Sequence, residues 1–129
     1  MSRLLIFGLG YTATRIVDAL RGRGWQVDAT GSAGNLAFGD ESAVSAALAQ
    51  ASHVLSSVPP AQDSDPVLDR YGSALSGKWL AYLSSTGVYG DAAGAWVDEA
   101  SPTGSGRRQA RAECDARWLE AGARVFRLP

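Results

Sequence analysis

Near the N-terminus, Leu4-Leu5-Ile6-Phe7 forms an unbroken apolar run that stops at Gly8. Continuous rather than alternating apolarity predicts a strand buried on both faces, as in a parallel sheet. Gly8-Leu9-Gly10-Tyr11-Thr12-Ala13 breaks that pattern. Ile16, Val17 and Leu20 then take the i, i+1 and i+4 places of a helix whose other face carries Arg15, Asp18 and Arg21. Gly22 and Gly24 end the helix, and residues 25–30 resume an extended pattern. Strand, glycine turn, helix and strand make a βαβ unit.

The rhythm continues. Residues 42–51 read as an alanine-rich helix with Asp40 or Ser42 as its N-cap, and residues 53–58 as a strand stopped by Pro59-Pro60. Residues 66–75 read as a helix with proline in its first turn, and residues 79–84 as another strand. A polar stretch from Ser85 to Gly106 is long for a connection, which marks it as a candidate functional loop. Arg107 to Glu120 reads as a helix closed by Gly122, and residues 124–128 as a final strand. The pattern predicts an α/β fold: one doubly wound, mostly parallel sheet with helices on both faces.

One connection breaks the rule. Only five residues separate Thr30 from Leu36-Ala37-Phe38, and a parallel crossover takes at least about 10–12. The second crossover helix is therefore missing. Residues 36–38 either turn back beside the second strand or form an extended edge with little sheet pairing.

Length and composition narrow the picture. At 129 residues the chain is read as one domain, 1–129, and its 46% hydrophobic residues suit a globular core. Twelve Lys+Arg against thirteen Asp+Glu give a net charge of −1, which leaves no electrostatic footprint for nucleic acid or an anionic membrane. The longest apolar run is far too short to span a bilayer. A single cysteine, Cys114, excludes an internal disulfide framework and fits a cytoplasmic location.

The chemistry starts at Gly8-x-Gly10-x-x-Ala13, which follows a predicted strand and opens a helix. Gly8 permits the tight turn, Gly10 lets a pyrophosphate approach the backbone, and Ala13 keeps the helix close to the sheet. The N–H groups at the helix start, Tyr11 and Thr12 among them, would then hold phosphate. A ribose-binding acid belongs about 20 residues on. Asp28 is near but lies within the strand, and Thr30-Gly31-Ser32 at its end offers neither an acid nor an arginine, so NAD and NADP both stay open.

The second signature is Leu83-Ser84-Ser85-Thr86-Gly87-Val88-Tyr89-Gly90-Asp91, followed by Trp96-Val97-Asp98-Glu99. It resembles the Ser-Ser-x-x-Val-Tyr-Gly motif of the extended short-chain dehydrogenase/reductase superfamily, the NAD-dependent epimerase/dehydratase group. With the Leu5–Ala13 segment it is most similar to an atypical, nucleoside-diphosphate-sugar epimerase-like branch. The resemblance covers nearly the whole chain and implies a Rossmann-like, NAD(P)-binding fold performing hydride transfer at a carbinol or ketone carbon. It puts Ser85 in the place of the catalytic Ser/Thr, with Ser84 beside the cofactor and Thr86, Tyr89 and Trp96 toward the substrate. By topology Ser57, Val58 and Pro59 border the nicotinamide side, and Ser32 the adenosine side. A small-molecule substrate and a homodimer remain open expectations.

The sequence also departs from that family. The superfamily uses a Tyr-x-x-x-Lys pair on the helix after the long loop, yet no tyrosine follows Tyr89 and no lysine follows Lys78. Arg107 and Arg111 stand at the one-turn spacing instead; arginine binds anions but is a poor proton shuttle. The family's C-terminal substrate region is not present in this sequence. A non-catalytic cofactor-sensing or scaffold domain is thus the competing reading. His53 and Cys114 are read as packing residues, since His53 has no second histidine or nearby cysteine with which to bind a metal.

Overall fold

A computed structural model describes residues 2–104 and 109–129. Among them, strands Arg3–Phe7 (β1), Gln26–Ala29 (β2), His53–Ser56 (β3), Trp79–Ser85 (β4) and Arg124–Leu128 (β5) form one sheet ordered β2-β1-β3-β4-β5. Every pairing is parallel. The helices are Tyr11–Arg21 (α1), Glu41–Gln50 (α2), Pro66–Tyr71 (α3) and Gln109–Glu120 (α4). None of the described helices is long and apolar enough to cross a membrane.

The apolar run of β1 is continuous because both of its faces are covered. Leu5 and Phe7 pack with Val44 and Leu48 of α2, Val67 of α3 and Trp118 of α4. Leu4 and Ile6 pack with Ala13 and Val17 of α1. Leu4, Leu5, Ile6 and Phe7 are all buried. Helices therefore lie on both faces, but unequally: among the described residues α2, α3 and α4 share one face, and α1 is the one helix on the other.

Two helices start on side-chain caps. Asp40 Oδ1 accepts the Ala43 N–H at 3.1 Å, so of the two N-cap candidates Asp40 is the one used. Asp65 Oδ1 accepts the N–H groups of Val67 (3.0 Å) and Leu68 (2.9 Å) just as Pro66 enters α3. The helix read over 66–75 stops as α-helix at Tyr71 and tightens into a 3₁₀ turn over Gly72–Ala74.

No helix separates β2 from α2. Leu36 makes one isolated parallel bridge with Thr30, its N–H donating to the Ala29 carbonyl at 3.0 Å, so the extended-edge alternative is the one adopted. The turn is tight: Asn35 Oδ1 accepts the Ala29 N–H at 2.8 Å, and a Cβ at Gly34 would collide with the Ala29 carbonyl oxygen.

Candidate functional site

At the carboxyl end of the sheet β1 runs into the Gly8–Ala13 turn, with the ends of β3 and β4 beside it. Gly8 has φ +88, and a Cβ there would meet Ser57 Oγ at 2.8 Å and Val58 Cγ2 at 3.2 Å. Backbone and neighbours both demand glycine. Thr30 anchors the turn to β2: its Oγ1 accepts the Gly8 N–H at 3.1 Å and its carbonyl the Leu9 N–H at 3.0 Å. Ser57 Oγ donates to the Gly8 carbonyl from the other side.

Gly10 is a glycine of another kind. Its φ of −94 and ψ of −161 are open to any residue, and a Cβ there would touch nothing within 4 Å. Nothing in the chain requires glycine here. What lies in front of it is a crevice of about 250 Å³, with Gly10, Tyr11 and Thr12 on one wall and Ser57, Ser84 and Leu128 on the other. Unlike α2 and α3, α1 starts without a side-chain cap and has no acid in its first turn. Its leading N–H groups and positive dipole end are thus available to an outside anion.

The crevice brings together Gly10, Tyr11, Thr12 and Ala13 of the glycine motif with Ser57 and Ser84. Gly8 packs against Ser57 and Val58 outside the crevice lining, and Pro59 follows Val58. Ser32 is exposed in the turn after β2, outside the crevice lining. The Asp28 carboxylate is held by Asn35 Nδ2 at 3.1 Å and Arg3 at 3.6 Å on the sheet edge.

Ser85 lies beyond Ser84 and its hydroxyl is engaged locally. Oγ accepts the Gly87 N–H at 3.0 Å and starts a 3₁₀ turn over Thr86–Tyr89. Thr86 and Tyr89 line a separate hollow of about 460 Å³ with Asp98, Glu99 and Arg127. Trp96 is fully exposed on the loop. Arg107 lies outside the described residues. Arg111 is on α4, its Nη1 donating to the Tyr82 hydroxyl at 2.8 Å and its guanidinium 5.9 Å from that ring's centroid. Burial raises the Tyr82 pKa to about 12, which keeps the phenol neutral as an acceptor.

The sequence reading missed the pair that supports this end of the sheet. Asp115 of α4 accepts Arg127 Nη2 at 2.8 Å, Arg127 Nε at 3.0 Å and Ser84 Oγ at 2.7 Å. Arg127 Nη1 also donates to the Tyr89 hydroxyl at 3.0 Å. Hydrogen bonds to Asp115 push the guanidinium pKa above even the usual arginine range. Two signals were present. Asp115 shares the inward helix stripe of Arg111 and Trp118, and Arg127 alternates with Phe126 so as to point, like Val125, toward α4. A charge on each of two inward faces calls for the other.

No family model matches the chain, and neither does any curated protein. Solved structures do. A conserved protein of unknown function from Silicibacter pomeroyi aligns with a TM-score of 0.80 at 32% identity, over 99% of this chain and 52% of its own. A Methylobacillus flagellatus protein, provisionally named an NAD-dependent epimerase/dehydratase, gives 0.77 at 22% identity over 98% and 53%. A short-chain dehydrogenase/reductase superfamily protein from Agrobacterium tumefaciens with bound NAD gives 0.68 at 19% over 97% and 48%. The chain has the Rossmann-like fold of the epimerase/dehydratase and short-chain dehydrogenase/reductase structures, and it spans about half the length of the solved structures it matches.

Proposed function

We propose that this chain binds the pyrophosphate of NAD or NADP at the head of α1, as the dinucleotide-binding part of an oxidoreductase or epimerase of the short-chain dehydrogenase/reductase type. Gly10 carries the reading. It is a glycine that no neighbour and no dihedral requires, set at the uncapped start of a helix and facing a crevice. A close-approaching phosphate is the physical reason for leaving that space empty.

In this reading Gly8 shapes the turn, and the Tyr11 and Thr12 N–H groups receive the phosphate charge. Ser57, Val58 and Pro59 border the nicotinamide, and Ser32 faces the adenosine ribose. The turn after β2 presents no acid, since Asp28 is held by Asn35 and Arg3, so either cofactor fits. When bound, the nicotinamide supplies hydride donor or acceptor chemistry. Ser85, whose hydroxyl accepts the Gly87 N–H and keeps its own O–H to donate, would orient the substrate oxygen, with Thr86, Tyr89 and Trp96 on the substrate side and Arg111 on α4.

A second reading, binding without turnover, is favoured by two observations. The Ser85 hydroxyl already serves the Gly87 N–H, and Arg111 already serves Tyr82. Calorimetric titration with NAD+, NADH, NADP+ and NADPH tests the shared premise. Micromolar affinity for one pair is expected, lost in Gly10→Val with folding unchanged; a folded protein that binds none of the four overturns both readings. Incubating the reduced-cofactor complex with ketones and nucleotide sugars separates them. Substrate-dependent cofactor oxidation that Ser85→Ala abolishes, at unchanged cofactor affinity, selects the enzyme.

A further inference from the structure

The head of α1 fixes where a pyrophosphate lies, and the end of β2 decides what the adenosine ribose meets. In a dinucleotide-binding fold a carboxylate about 20 residues beyond the glycine turn holds the ribose 2′-hydroxyl. The same charge repels a 2′-phosphate. Here Gly31 stands at that distance from Gly10, directly after Thr30, whose hydroxyl and carbonyl hold the Gly8 and Leu9 N–H groups. Gly31 has φ +110, and a Cβ there would meet the Leu9 nitrogen at 3.1 Å. An acidic side chain at this position is strained in its backbone and crowded by the turn it would serve. The fold itself keeps the carboxylate out.

Neighbouring acids do not replace it. Asp28 is held by Asn35 and Arg3, and Asp40 caps α2 through the Ala43 N–H. The residues between Gly31 and Leu36 are Ser32, Ala33, Gly34 and Asn35, all uncharged. The Asn35 side-chain oxygen is taken by the Ala29 N–H at 2.8 Å. What the turn presents outward is donors. Ser32 and Ala33 are exposed, and their N–H groups have no acceptor among the described residues. The Gly34 N–H closes the turn on the Gly31 carbonyl at 3.0 Å, and successive main-chain N–H groups in such a turn suit an anion.

We propose that Gly31 and Ser32 set the cofactor preference, and that the chain takes NADP(H) over NAD(H) with the 2′-phosphate received by the Ser32 hydroxyl and the Ser32 and Ala33 N–H groups. This inference rests on the dinucleotide reading of the α1 head. A phosphate oxygen accepts from all three donors, and each such bond is charge-assisted. A ribose 2′-hydroxyl in the same place finds no carboxylate to take its proton. The turn carries no arginine, so the preference comes from hydrogen bonds and from a missing repulsion, and it amounts to about tenfold.

Calorimetric titration of the chain with NADP+ and NAD+ tests it. NADP+ is expected to bind about tenfold more tightly. Ser32→Asp returns a carboxylate beside the ribose at an exposed position, where the fold tolerates it, and far-UV circular dichroism checks that the variant is folded. It is expected to weaken NADP+ by about tenfold or more and to leave NAD+ as tight or tighter. Equal affinities, or tighter NAD+, in the unsubstituted chain overturn the inference and leave the dinucleotide reading standing. An NADP+ preference that survives Ser32→Asp places the 2′-phosphate elsewhere and overturns it too. A folded chain that binds neither cofactor removes the dinucleotide reading, and this inference with it.

Discussion

Asp115 on α4 and Arg127 on β5 form a two-point ion pair almost out of water, at 2.8 and 3.0 Å, with side chains 3% and 14% exposed. Through it α4 is tied to β5, to Ser84 at the end of β4 and to Tyr89 in the following turn. Removing one partner of such a pair leaves a buried charge uncompensated. Asp115→Ala is expected to cost about 3–5 kcal/mol in urea denaturation. Asp115→Leu combined with Arg127→Met should cost less than Asp115→Ala alone, because no charge is stranded. Equal losses would show that packing, not pairing, is what matters there.

The glycines at 10 and 34 should respond in opposite ways. Gly10 sits at the N-cap position of α1 with extended dihedrals and open space around it. Gly10→Ser therefore supplies the missing cap and is expected to stabilise the fold by a few tenths of a kcal/mol. The same hydroxymethyl group enters the crevice and should weaken dinucleotide binding. Gly34→Ala, whose Cβ collides with the Ala29 carbonyl, should lower stability by about 1–3 kcal/mol. Paired thermal melts and titrations of the two variants check both directions.

The legible parts of the fold were those written in local pattern. The β1 run, the glycine turn and the length of α1 follow from neighbouring residues alone. The shortage of residues between Thr30 and Leu36 was equally plain, because chain length forbids a helix there. The site was legible as far as its backbone reaches: Gly8 and Gly10 are defined by what their missing side chains allow. Side-chain roles were not. That Ser85 also caps a turn rests on the Gly87 N–H, and the partner of Arg111 is Tyr82, 29 positions away. Asp115 and Arg127 each look out of place until α4 packs on the sheet.

Asp65 offers a stability test in the core. It is fully buried, accepting the Val67 and Leu68 N–H groups on one oxygen and the Trp118 indole N–H at 2.8 Å on the other. Asp65→Ala removes the α3 cap, worth about 1 kcal/mol, and leaves a buried indole N–H unpaired, a further cost of about 1–3 kcal/mol. Asp65→Asn keeps an acceptor and should recover part of the loss. Urea midpoints of the two variants measure the difference; identical midpoints would mean that the amide cannot stand in for the carboxylate.

Alkaline pH should destabilise this protein, in part through two residues on the α4 side. Burial raises the Cys114 thiol from 9.0 to about 11 and the Tyr82 phenol from 10.0 to about 12. Both are acids that the fold keeps protonated. Once pH passes the unfolded value the unfolded chain releases the proton while the native chain retains it, so the native state binds more protons and stability falls as pH rises. The fall attributable to Cys114 spans about 9 to 11, and that of Tyr82 about 10 to 12. Urea midpoints taken across that range should decline, and Cys114→Ala, although less stable from its lost volume, should show a flatter slope between 9 and 11. An unchanged slope would remove the thiol as a cause and leave Tyr82 and its Arg111 partner as the group to test next.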